Sequence, residues 1–377
     1  MVRNLFSLIF LTLLFSLTSC YHQPVANQAL TPGDSLVPEF ASGFYIRYYG
    51  EFKEVVVKNP WDMTTVFSRY YLVGSDTVKT PSDGVKIIIP VKTTAVTSST
   101  HFEFLNLLNE LDKVKGVCSP DLIYNSFIRE QYLAGNIENL GDAFNINVEK
   151  TLKLQPDVLM MSGYKQDDPY AKRVIQAGTP VVYNNEWMES SLLARAEWIK
   201  YVAVFFDKEA QADSIFRVVK ENYQSVKSIA QSESHHPGVM SGSNFRGTWY
   251  MPGGGSFMAQ LFADAGGDYF YANDTTKGSL PLNVEAVLKV FSTTDIWLNC
   301  NFNSIAELVK ADRKHALFQP VKNKKVFNFN KRMLSSGAND FWESAVARPD
   351  LLLMDVISIL HPGLLPEHQL IYADQLK

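Results

Sequence analysis

A short segment occurs twice in the chain, and this repetition constrains the fold more than any other feature. Asn147-Val148-Glu149-Lys150-Thr151-Leu152-Lys153-Leu154 in the first half corresponds to Asn283-Val284-Glu285-Ala286-Val287-Leu288-Lys289-Val290 in the second. Each copy reads as a helix start, with Asn as N-cap and Glu in the first turn, where the helix dipole favours a carboxylate by typically ~0.3–1 kcal/mol. Each also leads into an Asp and an apolar strand, Asp157-Val158-Leu159-Met160 and Asp295-Ile296-Trp297-Leu298. A chain that builds the same helix-to-strand unit once per half is expected to fold as two similar lobes.

The surrounding pattern agrees. From residue 91 onward short apolar runs alternate with amphipathic stretches, as β-α units around a mainly parallel sheet require. In the first half, strands are expected at Thr93–Thr97, Lys115–Cys118, Asp157–Met161 and Pro180–Tyr183, with helices at His101–Leu111, Val148–Leu154 and Pro169–Ala177. In the second, strands are expected at Gly238–Ser241, Asp295–Cys300 and Lys325–Phe329, and helices at Ser256–Ala265, Val284–Val290, Ser304–Ala311 and Asp340–Leu360. Between them lies a helical region, Ser190–Gln231, broken at Phe206-Asp207-Lys208. Its second part carries Ala212, Ile215, Phe216, Val219, Tyr223 and Val226 at spacings of three and four. The fold class is therefore α/β: two Rossmann-like lobes, 39–189 and 235–377, with mainly parallel central sheets joined by one long helix within 190–234. Residues 40–90 alternate aromatic and β-branched with polar residues and add a β-rich N-terminal segment.

The first residues carry a different signal. Arg3 precedes an apolar run from Leu5 to Leu17, too short for the about 20 residues that span a bilayer. It ends in Leu17-Thr18-Ser19-Cys20, which resembles the lipobox of bacterial lipoproteins. The expectation is a signal peptide over 1–19, a lipid on Cys20 and a flexible tether over 20–38, rich in Pro, Gln and Ala. Removing Arg3 from 35 basic residues leaves 34 against 39 acidic, a net of −5. A nucleic-acid partner is excluded on that balance. Cys118 and Cys300 fall in different halves and are expected to be separate buried thiols.

The pattern Asn-x-Glu, short helix, Leu-x-Pro-Asp and strand from Asn147 to Leu159, followed by Gly178-Thr179-Pro180-Val181-Val182, resembles the first lobe of class III periplasmic binding proteins. The second copy, the stretch Asp264-Ala265-Gly266-Gly267 and the long connecting helix fall where that family has them, so the resemblance covers roughly residues 90–377. It implies a monomeric receptor for vitamin B12, a ferric siderophore or haem, serving an ABC importer from a periplasmic membrane face. It implies no intrinsic cofactor, only a transported ligand carrying iron or cobalt. It also implies that Glu149 and Glu285 each dock onto the permease dimer.

In open α/β sheets ligands bind beyond the carboxyl ends of the strands. The cleft candidates are thus Ser98, Ser99, Thr100, Tyr124, Ser162, Tyr164, Asn185, Glu186 and Trp187 in the first lobe. The second offers Asn244, Phe245, Arg246, Trp249, Tyr250, Asn299, Phe302, Lys331, Arg332 and Trp342. Aromatic faces suit a large flat ligand, and Arg suits propionate, phosphate or catecholate oxygens. Direct metal capture is disfavoured, since no two His lie at ligand spacing on one element. Gly253-Gly254-Gly255-Ser256 lacks the Lys-Ser/Thr of a phosphate loop and reads as a turn entering a helix. A chelatase or hydrolase on the same scaffold is the alternative, but neither Gly-x-Ser-x-Gly nor His-Glu-x-x-His occurs.

Overall fold

The computed structural model describes residues 33–377. The signal segment, Cys20 and the tether as far as Pro32 lie outside the described residues.

Five short strands form the sheet of the first lobe in the order Val181–Tyr183, Val158–Met161, Thr94–Val96, Val114–Val117, Glu138–Asn139, all parallel. The second lobe repeats the plan with Val239–Ser241, Ile296–Leu298 and Val326–Asn328 in parallel and Asp374–Gln375 antiparallel at the edge. Central strands are apolar along their whole length because helices cover both faces. The repeated segment does the same work in both halves. The Asn147 carboxamide accepts the Lys150 N–H at 3.0 Å, and Asn283 accepts that of Ala286 at 2.8 Å. The Asp that follows each copy ties down the start of a neighbouring strand: Asp157 accepts the N–H groups of Lys92 and Thr93, and Asp295 that of Gly238.

The lobes are linked by two helices, Leu192–Ala203 continued by a 3-10 turn to Phe206, and Glu209–Gln231. The break falls at Asp207, whose φ of 55° reverses the chain. Leu192–Ala203 is buried on nearly every side, whereas Glu209–Gln231 buries one stripe: Ala212, Phe216, Val219, Tyr223 and Ala230.

The N-terminal segment is a five-stranded sheet of its own: Asp34–Leu36, Phe44–Tyr48, Phe52–Asn59, Asp62–Val73 and Val85–Ile88, antiparallel except for the last pair. Its inner face packs on the first linking helix, with the Phe44 ring 4.9 Å from Trp198 and 5.5 Å from Tyr201. Two buried carboxylates fasten it. Glu197 accepts the N–H groups of Glu39, Phe40 and Ala41, and Glu189 accepts those of Ser42, Gly43 and the Trp198 indole. Gly43 is required here, since a Cβ would stand 2.6 Å from the Trp198 ring.

Two expectations need correction. The end of the expected tether is ordered: Asp34–Leu36 pairs with Ile46–Tyr48 as an edge strand. The single helix expected over Asp340–Leu360 is three pieces, a 3-10 turn at Asp340–Trp342, then Ser344–Ala347 and Pro349–Leu360. Pro349 bars the helical conformation at Arg348, which adopts φ −122° and ψ 56°. The second lobe also carries a three-stranded antiparallel sheet of Asn244–Phe245, Thr248–Pro252 and Ser279–Leu282, which is not among the expected elements.

Candidate functional site

The carboxyl ends of both parallel sheets lead into loops that meet at a pocket of about 440 Å³ between the lobes. Its first-lobe wall is Glu103, Asn106, Tyr124, Asn125, Ser126 and Arg129. Arg332, Leu334, Asp340, Ser344, Arg348, Leu351 and Tyr372 form the second-lobe wall. Local sequence explains the first wall. Left-handed Ser119 and the turn Pro120–Leu122 bring the chain round after Val114–Val117. Asn125 then caps the helix Ser126–Leu133 by accepting the Ile128 N–H at 3.1 Å, which brings Arg129 to the pocket one turn in.

Contacts cross the pocket. The Arg332 guanidinium lies 5.4 Å from the Tyr124 ring centre, with Nε 3.5 Å from the phenol oxygen, and it pairs with Asp340 at 3.1 Å. The buried Glu343 carboxylate reaches from the second lobe to accept the N–H groups of Tyr124 at 2.5 Å and Asn125 at 2.8 Å. Burial pushes the Glu343 carboxyl up to about 8, against the pull of those two donors and helped by Asp340 and Glu103 nearby. Burial likewise raises Glu103 to about 6. Arg348 is held by both oxygens of Asp350. Arg129 differs: among the described residues no carboxylate pairs with it, and its buried Nε has no partner. A guanidinium left open toward a pocket favours an anionic group on whatever enters.

Of the residues singled out from sequence, Tyr124 and Arg332 line this pocket. Asn244, Phe245, Tyr250 and Phe302 line a second cavity of about 420 Å³ with Gly242, Ser243 and Asn301, beyond the carboxyl ends of Val239–Ser241 and Ile296–Leu298. Arg246, exposed at φ 52°, stacks over Phe245. Asn299, also left-handed, gives its carbonyl to the Gly242 N–H. Tyr164 and Trp187 are half-buried neighbours with ring centres 5.6 Å apart, and exposed Phe144 lies 4.7 Å beyond Tyr164. The Ser98 and Thr100 hydroxyls bond each other at 2.9 Å beside Ser99, and Trp342 is half exposed against Phe341.

Other candidates are occupied elsewhere. Trp249 is fully buried against Trp297, His315 and Phe318, with its indole N–H donated to the Ser241 carbonyl. Strand alternation over Thr248–Pro252 turns Trp249 and Met251 inward and leaves Tyr250 out. Ser162, Asn185 and Glu186 are buried beneath the cleft surface. Their partners are His101 at 3.3 Å, the Gly163 N–H at 2.7 Å and Arg195 at 2.8 Å. The His101 imidazole is lowered to about 4 by burial. The Lys331 ammonium donates to the Leu370 carbonyl. Sequence reasoning missed Glu103, Asn106, Asn125, Ser126, Arg129, Asp340, Glu343, Ser344, Arg348 and Tyr372. The cap at Asn125 and the break at Arg348-Pro349 were the legible signals for two of these segments.

Cys118 and Cys300 are free and buried, and burial pushes both thiols up to about 12. Among the described residues no three His, Cys, Asp or Glu side chains converge as a metal-ion site, and no helix is long and apolar enough to cross a membrane.

Residues 95–333 match the periplasmic binding protein family. The chain belongs to that family. An uncharacterised lipoprotein of Methanocaldococcus jannaschii is 27% identical over 292 residues, covering 74% of this chain and 68% of the relative. The molybdate-binding protein MolA of Haemophilus influenzae is 24% identical over 266 residues, covering 64% of this chain and 74% of that one. Among solved structures, a periplasmic haem-binding protein from Pseudomonas aeruginosa superposes with a TM-score of 0.58 at 15% identity, over 76% of this chain and 98% of its own. The two-lobed α/β architecture of this periplasmic binding protein is thus the family's, and its N-terminal sheet precedes the matched region.

Proposed function

We propose that this protein is a lipid-anchored receptor that holds a metal chelate or corrinoid, meaning a ferric siderophore, vitamin B12 or haem, between its lobes. It then delivers that ligand to the permease dimer of an ABC importer. The observation that carries the reading is the interlobe pocket, whose walls come from both lobes and whose volume falls in the usual range for small-molecule sites, roughly 300–1,000 Å³. Arg129 and Arg332 suit carboxylate or catecholate oxygens, and Tyr124 adds aromatic surface. The metal arrives with the ligand, as iron or cobalt. The receptor works as a monomer, kept at a periplasmic membrane face by lipid on Cys20.

Glu149 and Glu285 are both exposed in the first turns of matching helices, which supports a docking role. Lys314 pairs with Glu285 at 2.6 Å and holds its carboxyl below the usual carboxylate range. The direct test mixes the purified protein with haemin, cyanocobalamin and ferric siderophores, desalts it and records the visible spectrum. A retained Soret, corrin or charge-transfer band is expected, and a colourless protein in every case sinks the reading.

A second reading is favoured by the unpaired Arg129 and by the relative named for molybdate binding: a small oxyanion in the same pocket. Calorimetric binding of molybdate by a protein that retains none of the chelates would decide for it.

A further inference from the structure

The N-terminal sheet lies outside the family-matched residues, yet one of its hairpins reaches the ligand-facing ends of the first-lobe strands. Phe52–Asn59 and Asp62–Val73 are joined at Pro60-Trp61, and the pairing is irregular at the tip: Asn59 pairs with Asp62 and Lys58 with Val66. Met63, Thr64 and Thr65 therefore bulge out of the ladder, an arrangement that bends a strand and re-aims its side chains. The bulge sends Met63 to a small cavity shared with Asn185, Met188 and Lys277, so the hairpin meets both the loop after Val181–Tyr183 and a segment of the second lobe.

Aromatic contacts continue from the hairpin into the lobe. The Trp61 ring centre is 5.6 Å from Phe67, and Phe67 is 4.8 Å from Tyr183, the last residue of its strand. The Phe67 ring also lies against Gly163, where a Cβ would stand 3.2 Å away, and Gly163 precedes Tyr164 of the Phe144, Tyr164 and Trp187 cluster. Deeper in the sheet, the Tyr70 hydroxyl accepts the Tyr183 N–H at 3.0 Å, which anchors the hairpin to the lobe's edge strand. At the tip, by contrast, Trp61, Met63 and Val66 are 42%, 41% and 47% exposed. Trp61 and Met63 thus pack on the lobe through one side and keep a large share of their apolar surface in solvent beside the carboxyl ends of its strands. The buried Trp187 indole N–H has no partner, leaving one hydrogen-bond donor within the same aromatic group.

We infer that the Asn59–Phe67 hairpin is a third wall of the binding site, and that Trp61 and Met63 cover a flat conjugated face of the ligand. This rests on the receptor reading above. It assigns the two ends of the cleft different chemistry: charged and hydroxylic at Arg129, Arg332 and Tyr124, aromatic at Trp61, Tyr164 and Phe144. A ligand that fits both ends is amphipathic, with acidic groups on one side of a planar system.

The test uses the intact protein, titrated by absorbance with haemin and cyanocobalamin as probes carrying a flat conjugated ring and ferrichrome as a probe without aromatic rings. Trp61→Ala is expected to weaken a flat probe by about tenfold, as loss of one aromatic partner implies, while Trp61→Phe restores most of the affinity. Because Trp61 is at an exposed turn, the melting temperature should stay unchanged, separating lost contact from lost fold. Equal affinity in wild type and Trp61→Ala overturns the inference and leaves the receptor reading standing. Binding of ferrichrome alone also overturns the inference only. If none of the three probes binds the wild type, both fall.

Discussion

At the scale of single residues, Glu343 combines the most consequences. It is a buried carboxylate of the second lobe that receives two N–H donors of the first, so it fixes the pocket's walls relative to one another. Its folded value of about 8 stands above its ordinary 4.5. Between those values the folded state holds a proton that the unfolded state has lost, so stability falls as pH rises through the window. The groups facing it are the Tyr124 and Asn125 N–H donors and the carboxyls of Asp340 and Glu103. Glu343→Gln is expected to flatten the decline in urea stability between about pH 4.5 and 8. Glu343→Ala, which strands both donors, should cost about 2 kcal/mol at pH 6. An unchanged pH profile in the Gln variant would show that the carboxylate titrates normally. Glu343 was invisible in the sequence because its importance lies in a contact across 219 residues of chain. Trp249 failed for a different reason: its direction depends on strand alternation, and the strand carrying it was not recognised.

At the scale of elements, what repeats in sequence repeats in structure. The N-caps at Asn147 and Asn283 and the strand anchors at Asp157 and Asp295 are local devices, each working within a few residues or on the adjacent strand, and local devices leave readable signals. The break at Asp207 was readable for the same reason. The second linking helix was legible from the spacing of Phe216, Val219 and Tyr223, whereas the Thr248–Pro252 strand, with Pro at its end and a Gly-rich turn beyond, carried too few alternations to register. Asn147→Ala and Asn283→Ala are each expected to lower stability by about 1 kcal/mol. Asp157→Ala, which releases two backbone donors rather than one, should cost more than Asp295→Ala. Thermal melts of the four variants check both statements, and an inverted order of the two Asp variants would count against the anchoring account.

At the scale of the whole molecule, the lobes were expected and the third sheet's attachment was not. Composition announced the β-rich segment over 40–90 but gave no sign that Glu189 and Glu197, some 150 residues later, would receive it. The linking helices pack against both lobes, with Gln211 bonded to the Leu107 carbonyl of the first and Tyr223 to Asp264 of the second. Such a brace permits only a small closing motion. Small-angle scattering should record little change in radius of gyration on ligand addition, and a marked contraction would refute the brace. Replacing Glu149 and Glu285 together with Ala should leave ligand affinity intact and abolish uptake in cells; undiminished uptake would remove the docking role.

The fastening of the N-terminal sheet also has a mechanical side. Glu197 and Glu189 grip residues 39–43 against the first linking helix, one of the two elements that join the lobes. A pull arriving along the chain from residue 33 would load the Asp34–Leu36 edge strand first and then these carboxylate grips on the linking helix, a path that includes neither lobe's parallel sheet. Tension at that end would then turn the protein as a body and would not act directly on either wall of the pocket.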